Sequence, residues 1–284
     1  MHTTLLARNR HRMFGWLLVA ASAACAGKST PTSAPHPAAN TTVRPGTRLL
    51  PLTWRSRVQL DRSDSIVLTL PAGATQVQRM TRHAVFTLTV GPRAAVAVRL
   101  DSLIMSPAGG LAALAVLGTV WSGRMLGTGV EWLATTGAGP IVEELRVDVH
   151  GLFPSLPSGG VATGVRWADT ATTRSRIDIF DATQRLVMKW AAGRDTSVAG
   201  ASLLPLRATG ELEQSGKGSG AGVTMTMTGH GSRSYIYYLT RNGQVRLVTR
   251  KDSLNVLVSV PSSRQLVPTV RLIHSRATFR DYTP

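Results

Sequence analysis

SYIYYLTRNGQVRLVT, residues 234–249, decides the class of this chain. Two runs of alternating apolar and polar side chains flank Asn242-Gly243, and a period of two marks a strand with one wet face. Asn-Gly accepts the positive φ angles of a type I′ turn, so the stretch reads as a β-hairpin, Ser234–Thr240 against Gln244–Thr249. The same pattern recurs outward in the sequence. Leu50–Leu60 leads through a turn at Asp61-Arg62-Ser63-Asp64 to Ser65–Leu70, and Gln76–Val90 turns at Gly91-Pro92 into Arg93–Ile104. Val120–Leu126 turns at 127–129 into Val130–Ala134, and Arg174–Phe180 turns at Asp181-Ala182-Thr183 into Gln184–Trp190. Closely spaced hairpins predict a mainly β fold, an antiparallel meander or curved sheet rather than a parallel α/β sheet.

One helix interrupts this pattern. Pro140 suits a first helical position, and Ile141, Leu145, Val149 and Leu152 recur at helical spacing. Glu143 and Glu144 sit near the positive end of its dipole, and Pro154 and Pro157 stop it. The spacing therefore predicts one covering helix over 140–153 between two β halves of similar size, 48–138 and 166–284, an arrangement open to an origin by duplication. Gly109–Trp121 is apolar but too short to span a bilayer, and reads as a buried strand or short covering helix, or else as a lipid-contacting lid. Ser215–Gly222 reads as a flexible loop; its glycines and Lys217 lack the spacing of a phosphate-binding loop.

The N-terminus carries an address. Arg8, Arg10 and Arg12 precede the apolar run Met13–Ala24, then Cys25, the one cysteine of the chain. This is the layout of a secretory signal over 1–24. Small residues running into Cys25 resemble the lipobox of bacterial lipoproteins. That resemblance implies a lipidated Cys25 and, with Ala26 after it, the periplasmic face of the outer membrane. Ordinary cleavage, leaving a soluble periplasmic or secreted protein, is the alternative. Residues 25–47, rich in Pro, Ser, Thr and Ala, read as a tether for a β-rich domain over 48–284. A lone cysteine permits no internal disulfide and no Cys-based metal site. A second resemblance lies at Leu152-Phe153-Pro154-Ser155-Leu156-Pro157, followed by Gly159, Gly160, Gly164 and Trp167. It is similar to a turn in exported β-rich bacterial proteins without an assigned activity, and implies a fold class and an extracytoplasmic life but no site.

The formal charge is +17, with only four lysines among 32 basic residues. Such a field draws a protein to anionic surfaces. Nucleic acid is not the expected partner, because no compact Arg cluster is interleaved with aromatics and the chain is exported. Residues able to do chemistry are scattered. His83, His150, His230 and His274 each stand alone, without metal-ligand spacing. Glu211 and Glu213 alternate on one strand face; His230 and Ser232 lie in a glycine-rich stretch read as a turn before the hairpin strand. Of the Tyr235-Tyr237-Tyr238 cluster, the first two face one side and the third the other. We therefore assign no catalytic residue, metal or cofactor, and no ligand-binding residue. The expected activity is binding, by a tethered domain that shelters a lipid or other apolar or anionic ligand in a cavity lined from both halves. The alternatives are a structural or assembly partner for an envelope protein and, less favoured, an envelope hydrolase.

Overall fold

The computed structural model describes residues 47–70, 73–177, 179–220 and 222–282. The signal segment 1–24, Cys25 and the tether through residue 46 lie outside the described residues. The elements run β1 (Trp54–Thr69), β2 (Thr75–Val90), β3 (Ala95–Ser106), α1 (Gly110–Ala115), β4 (Val120–Met125), β5 (Val130–Thr135) and α2 (Pro140–His150). Then follow β6 (Arg166–Ile177), β7 (Phe180–Ala192), β8 (Thr196–Val198), β9 (Ala201–Gly220), β10 (Val223–Leu239), β11 (Val245–Val260) and β12 (Gln265–Asp281). The sheet order is β5-β4-β3-β2-β1-β12-β11-β10-β9-β7-β6, with β8 beside β9, and every pairing is antiparallel. The expected mainly β, antiparallel architecture holds. The two sequence halves are two flanks of one open sheet, joined where β1 pairs with β12 from Ser56↔Asp281 to Leu68↔Thr269.

Laid flat, eleven strands about 4.8 Å apart would be about 50 Å wide. Yet Trp121 of β4 and Trp190 of β7 bury their rings in one core with Leu145 and Val149 of α2. The sheet therefore curls around α2, and we call the helix side its inner face. Glycines permit the curl. A Cβ on Gly231 would stand 2.0 Å from the Ser253 carbonyl oxygen, and one on Gly218 2.4 Å from that of Ile179. Strands β10 and β9 thus press against their neighbours more closely than any side chain allows.

Those glycines correct two expectations. Ser215–Gly222 is not a loop through most of its length, because β9 continues to Gly220. Gly229–Ser232 is not a turn but the middle of β10. Asp61–Asp64 is likewise no turn: β1 runs straight through it, for a reason given below. Strand β6 runs on to Ile177 and β7 begins at Phe180, with Ile177 opposite Phe180, so 181–183 lies within β7 and is not a turn. The 234–249 hairpin is present, but with Gly243 at φ 80° and Asn242 outside the positive-φ residues. The Gly243 N–H donates to the Thr240 carbonyl (3.0 Å), and the turn is a longer one than type I′.

The covering helix forms as α2, with Pro140 at its start and Val142, Leu145, Asp148 and Val149 buried. It ends at His150, earlier than 153. Leu152, Phe153 and Leu156 leave it still buried, and Tyr237 Oη donates to the Gly151 carbonyl at 2.9 Å. Tyr237→Phe is expected to lose about 1 kcal/mol of stability by chemical denaturation, without change in secondary structure. One end of the curl is closed by chain crossing it. Arg48 bridges Val161, the Leu50 N–H donates to the Gly127 carbonyl and that of Leu156 to the Thr128 carbonyl. Arg48 also pairs with Asp195 at 2.8 Å.

Gly109–Trp121 gives a helix, but one that covers little. Ala113 of α1 is buried, while Leu111 is 84 % and Leu114 62 % exposed. Among the described residues, no helix is long and apolar enough to cross a membrane.

Candidate functional site

The inner face has three zones along the strands. Under α2 it is solid. Trp54 stacks on Phe279 (5.5 Å between centroids), Trp167 on Trp190 (5.4 Å), and Tyr235 and Tyr237 lie side by side beneath the helix. The two tyrosines share the inner face and Tyr238 opposes them, as their spacing predicted, but they pack and do not line a cleft. The expected ligand cavity is absent here. A void of about 10 Å³ beside Asp148, Arg250 and Ser275 has room for one water.

The second zone is a belt of buried charge. Asp148 points from α2 into the sheet with its side chain 1 % exposed. Arg62 donates to it at 2.7 Å and Arg82 at 3.4 Å, and Arg250 stands 3.7 Å away. Arg62 also holds Asp64 through two 2.7 Å bonds, and Arg271 reaches Asp64 at 2.9 Å. Asp252 takes Arg233 at 2.8 and 3.0 Å, and Arg250 at 3.1 Å. Arg82 further pairs with Glu144 at the rim. This belt is why β1 does not turn at 61–64. Arg62 and Asp64 share the parity of Val58 and Leu60, so an extended strand carries them inward to partners on β12 and α2.

Charge state follows from these pairs. Burial alone would raise Asp252 and Asp64, but Arg250 with Arg233, and Arg62 with Arg271, hold both below their ordinary value of 3.8. Burial would lower Arg62, yet Asp148 and Asp64 keep it above its usual range. His150 is pushed down to about 3, by burial and then by Arg146, where it stacks on Trp132 at 5.0 Å. An imidazole kept neutral in the fold but free to charge when unfolded makes stability fall as pH drops from about 6.5 towards 3. The depressed aspartates add a second loss as pH falls below their ordinary value. Chemical denaturation between pH 7 and 5.5 is expected to show the first slope, about 1 kcal/mol in all, and His150→Phe to remove it. An unchanged slope in that variant would contradict the assignment.

The third zone lies beyond the belt. Ile66, Leu68, Met80, Ile273, Val267, Val256, Val258 and Val260 face inward and are half-buried, next to the buried patch of Phe180, Ala182, Met225 and Met227. Strands of 16 to 20 residues reach about 50 Å or more, whereas the eleven residues of α2 reach about 16 Å. The helix can cover only a fraction of the sheet, and among the described residues no other element lies over this apolar end. On its border α1 leaves β3 at the row of Arg82, where Thr81 faces Ser106.

The residues weighed for chemistry lie elsewhere. Glu211, Glu213, His230 and Ser232 all stand on the outer face, His230 opposite Glu213 and Ser232 opposite Glu211. They are exposed strand residues with no pocket around them. His83 holds Asp61 on the same outer face at 2.7 Å, and His274 is exposed. Among the described residues no three His, Cys, Asp or Glu come together as a metal site.

No family model and no curated protein matches the chain. Among solved structures, a LolA superfamily protein from Nitrosomonas europaea is similar at 7 % identity over 79 % of this chain and 87 % of that one. Its TM-score is 0.15, and a likeness at that level carries no argument about this chain. The belt is hidden in the sequence: Arg62 and Asp64 read as turn chemistry, and Asp148, Arg250 and Asp252 are not singled out. The signal available was parity: Arg62 with Asp64, and Arg250 with Asp252, each continue an apolar register.

Proposed function

We propose that the protein is an extracytoplasmic binding protein, held at the membrane through Cys25, whose ligand is a lipid or other apolar molecule laid along the open end of the inner face. One observation carries this reading. The inner face is filled under α2, but beyond the arginine belt it is largely apolar, half-buried and uncovered, with Gln78, Thr269 and Gln265 set among the aliphatic side chains. An apolar surface of that kind is costly to leave facing water and marks a place where something binds. The exposed leucines of α1 stand at its border and suit contact with a lipid phase.

Native mass spectrometry of the protein purified without detergent, followed by lipid extraction, tests the reading. A stoichiometric co-purifying lipid is the expected result. A clean unliganded mass that persists when anionic lipids are offered would overturn it, leaving the unpaired edges of β5 and β6 as surfaces for an envelope protein. Cys25→Ser is expected to release the protein from the membrane fraction; full retention would remove the anchor from the proposal.

A further inference from the structure

We infer that the arginine belt receives the acidic head of an amphiphile whose tail lies along the open inner face. This rests on the binding reading above and names the ligand's chemical class and its contact residues. The first argument is charge. Five guanidinium groups, of Arg62, Arg82, Arg233, Arg250 and Arg271, share three buried carboxylates, of Asp64, Asp148 and Asp252. Glu144 at the rim, with its side chain 40 % exposed, still leaves one positive charge over. Asp169 faces inward too, but three strands from Arg233 in the register, well out of contact.

The second argument is hydrogen bonding. Arg82 Nε, Arg250 Nη1 and Arg271 Nε are buried without an acceptor, and the side chains of Arg82 and Arg250 are only 7 % and 4 % exposed. Buried donors on a charged group are costly to leave unmet. A water in the small void could serve Arg250 Nη1, but it carries no charge. A carboxylate or phosphate oxygen answers both deficits at once.

Position is the third argument. Arg271 is the most exposed of the five, at 24 %, and it sits in register between Ile66 and Leu254. It is therefore where the belt meets the apolar end. An acidic group drawn in beside Arg271 leaves its chain pointing along Leu68, Val256 and Val258.

Binding of oleate and of oleyl alcohol to the full-length protein, measured by titration calorimetry, tests this. The two probes share a tail and differ in the head. Oleate is expected to bind about tenfold more tightly than the alcohol. In Arg271→Gln the preference should shrink to less than about twofold. Equal affinities in the unmodified protein would overturn the head-group site while leaving the binding reading intact, and so would a preference that survives in Arg271→Gln. Binding of neither probe would remove both. Inorganic phosphate binding as tightly as oleate would make this a free-anion site and refute the amphiphile. The acid-to-alcohol ratio needs no variant, so the test stands even where Arg271→Gln weakens the fold.

Discussion

Asp148→Ala is expected to lower the unfolding free energy by about 3–5 kcal/mol, a large part of the stability of an ordinary domain. The carboxylate is 1 % exposed and meets three arginines of the sheet, Arg62, Arg82 and Arg250, whereas Glu144 of the same helix meets only Arg82, at the rim. Its removal leaves Arg62 and Arg82 facing each other in a dry place, with Arg250 behind them. Asp148→Asn, which keeps the shape and loses the charge, should behave nearly as badly. Replacing the pair together, as Asp148→Leu with Arg62→Met, should recover much of the loss, because two apolar groups need no partners. Urea denaturation of the three variants decides the matter. A loss below about 1 kcal/mol in Asp148→Ala would mean that the belt is open to water and contributes little.

Gly231→Ala should cost about 3 kcal/mol, more than a single methyl in a core normally does. The new Cβ would meet the Ser253 carbonyl oxygen at 2.0 Å, backbone that belongs to the β10–β11 ladder and cannot rotate aside. The strands must part or the curl must flatten. Gly91→Ala is the matched control: nothing lies within 4 Å of its Cβ, and its φ of −112° suits any residue. That variant should stay within about 0.5 kcal/mol of the parent. Similar losses at both positions would show that glycine at 231 serves chain flexibility and not close approach.

The fold was legible where local chemistry and long-range packing agree. Alternation predicted the hairpin that holds Asn242-Gly243, and Pro140 with Leu145 and Val149 predicted the helix. It was illegible where a residue type common in turns serves another purpose. Asp61–Asp64 has turn composition, yet Arg62 and Asp64 satisfy one another inside a strand, a stabilisation that appears only once β12 and α2 are in place. The glycines at 216, 218, 229 and 231 look like loop residues for the same reason: both loops and sharply curled sheets need residues without a Cβ. Of the candidate site, the inward pair Tyr235 and Tyr237 was readable from parity. The uncovered apolar end was not, since it depends on how little of the sheet an eleven-residue helix can reach.

The pairing of the first strand with the last has a consequence for how the chain is made. Residues 56–68 find their partners at 269–281, so the centre of the sheet is the last seam to close. Until the C-terminal segment emerges, β1 presents an unpaired edge, the kind of surface that nucleates aggregation. Contacts so distant in sequence also form slowly. On the export proposed above, a chain with this topology has to reach its destination unfolded and well chaperoned, and deleting β12 is expected to yield not a smaller domain but an insoluble one.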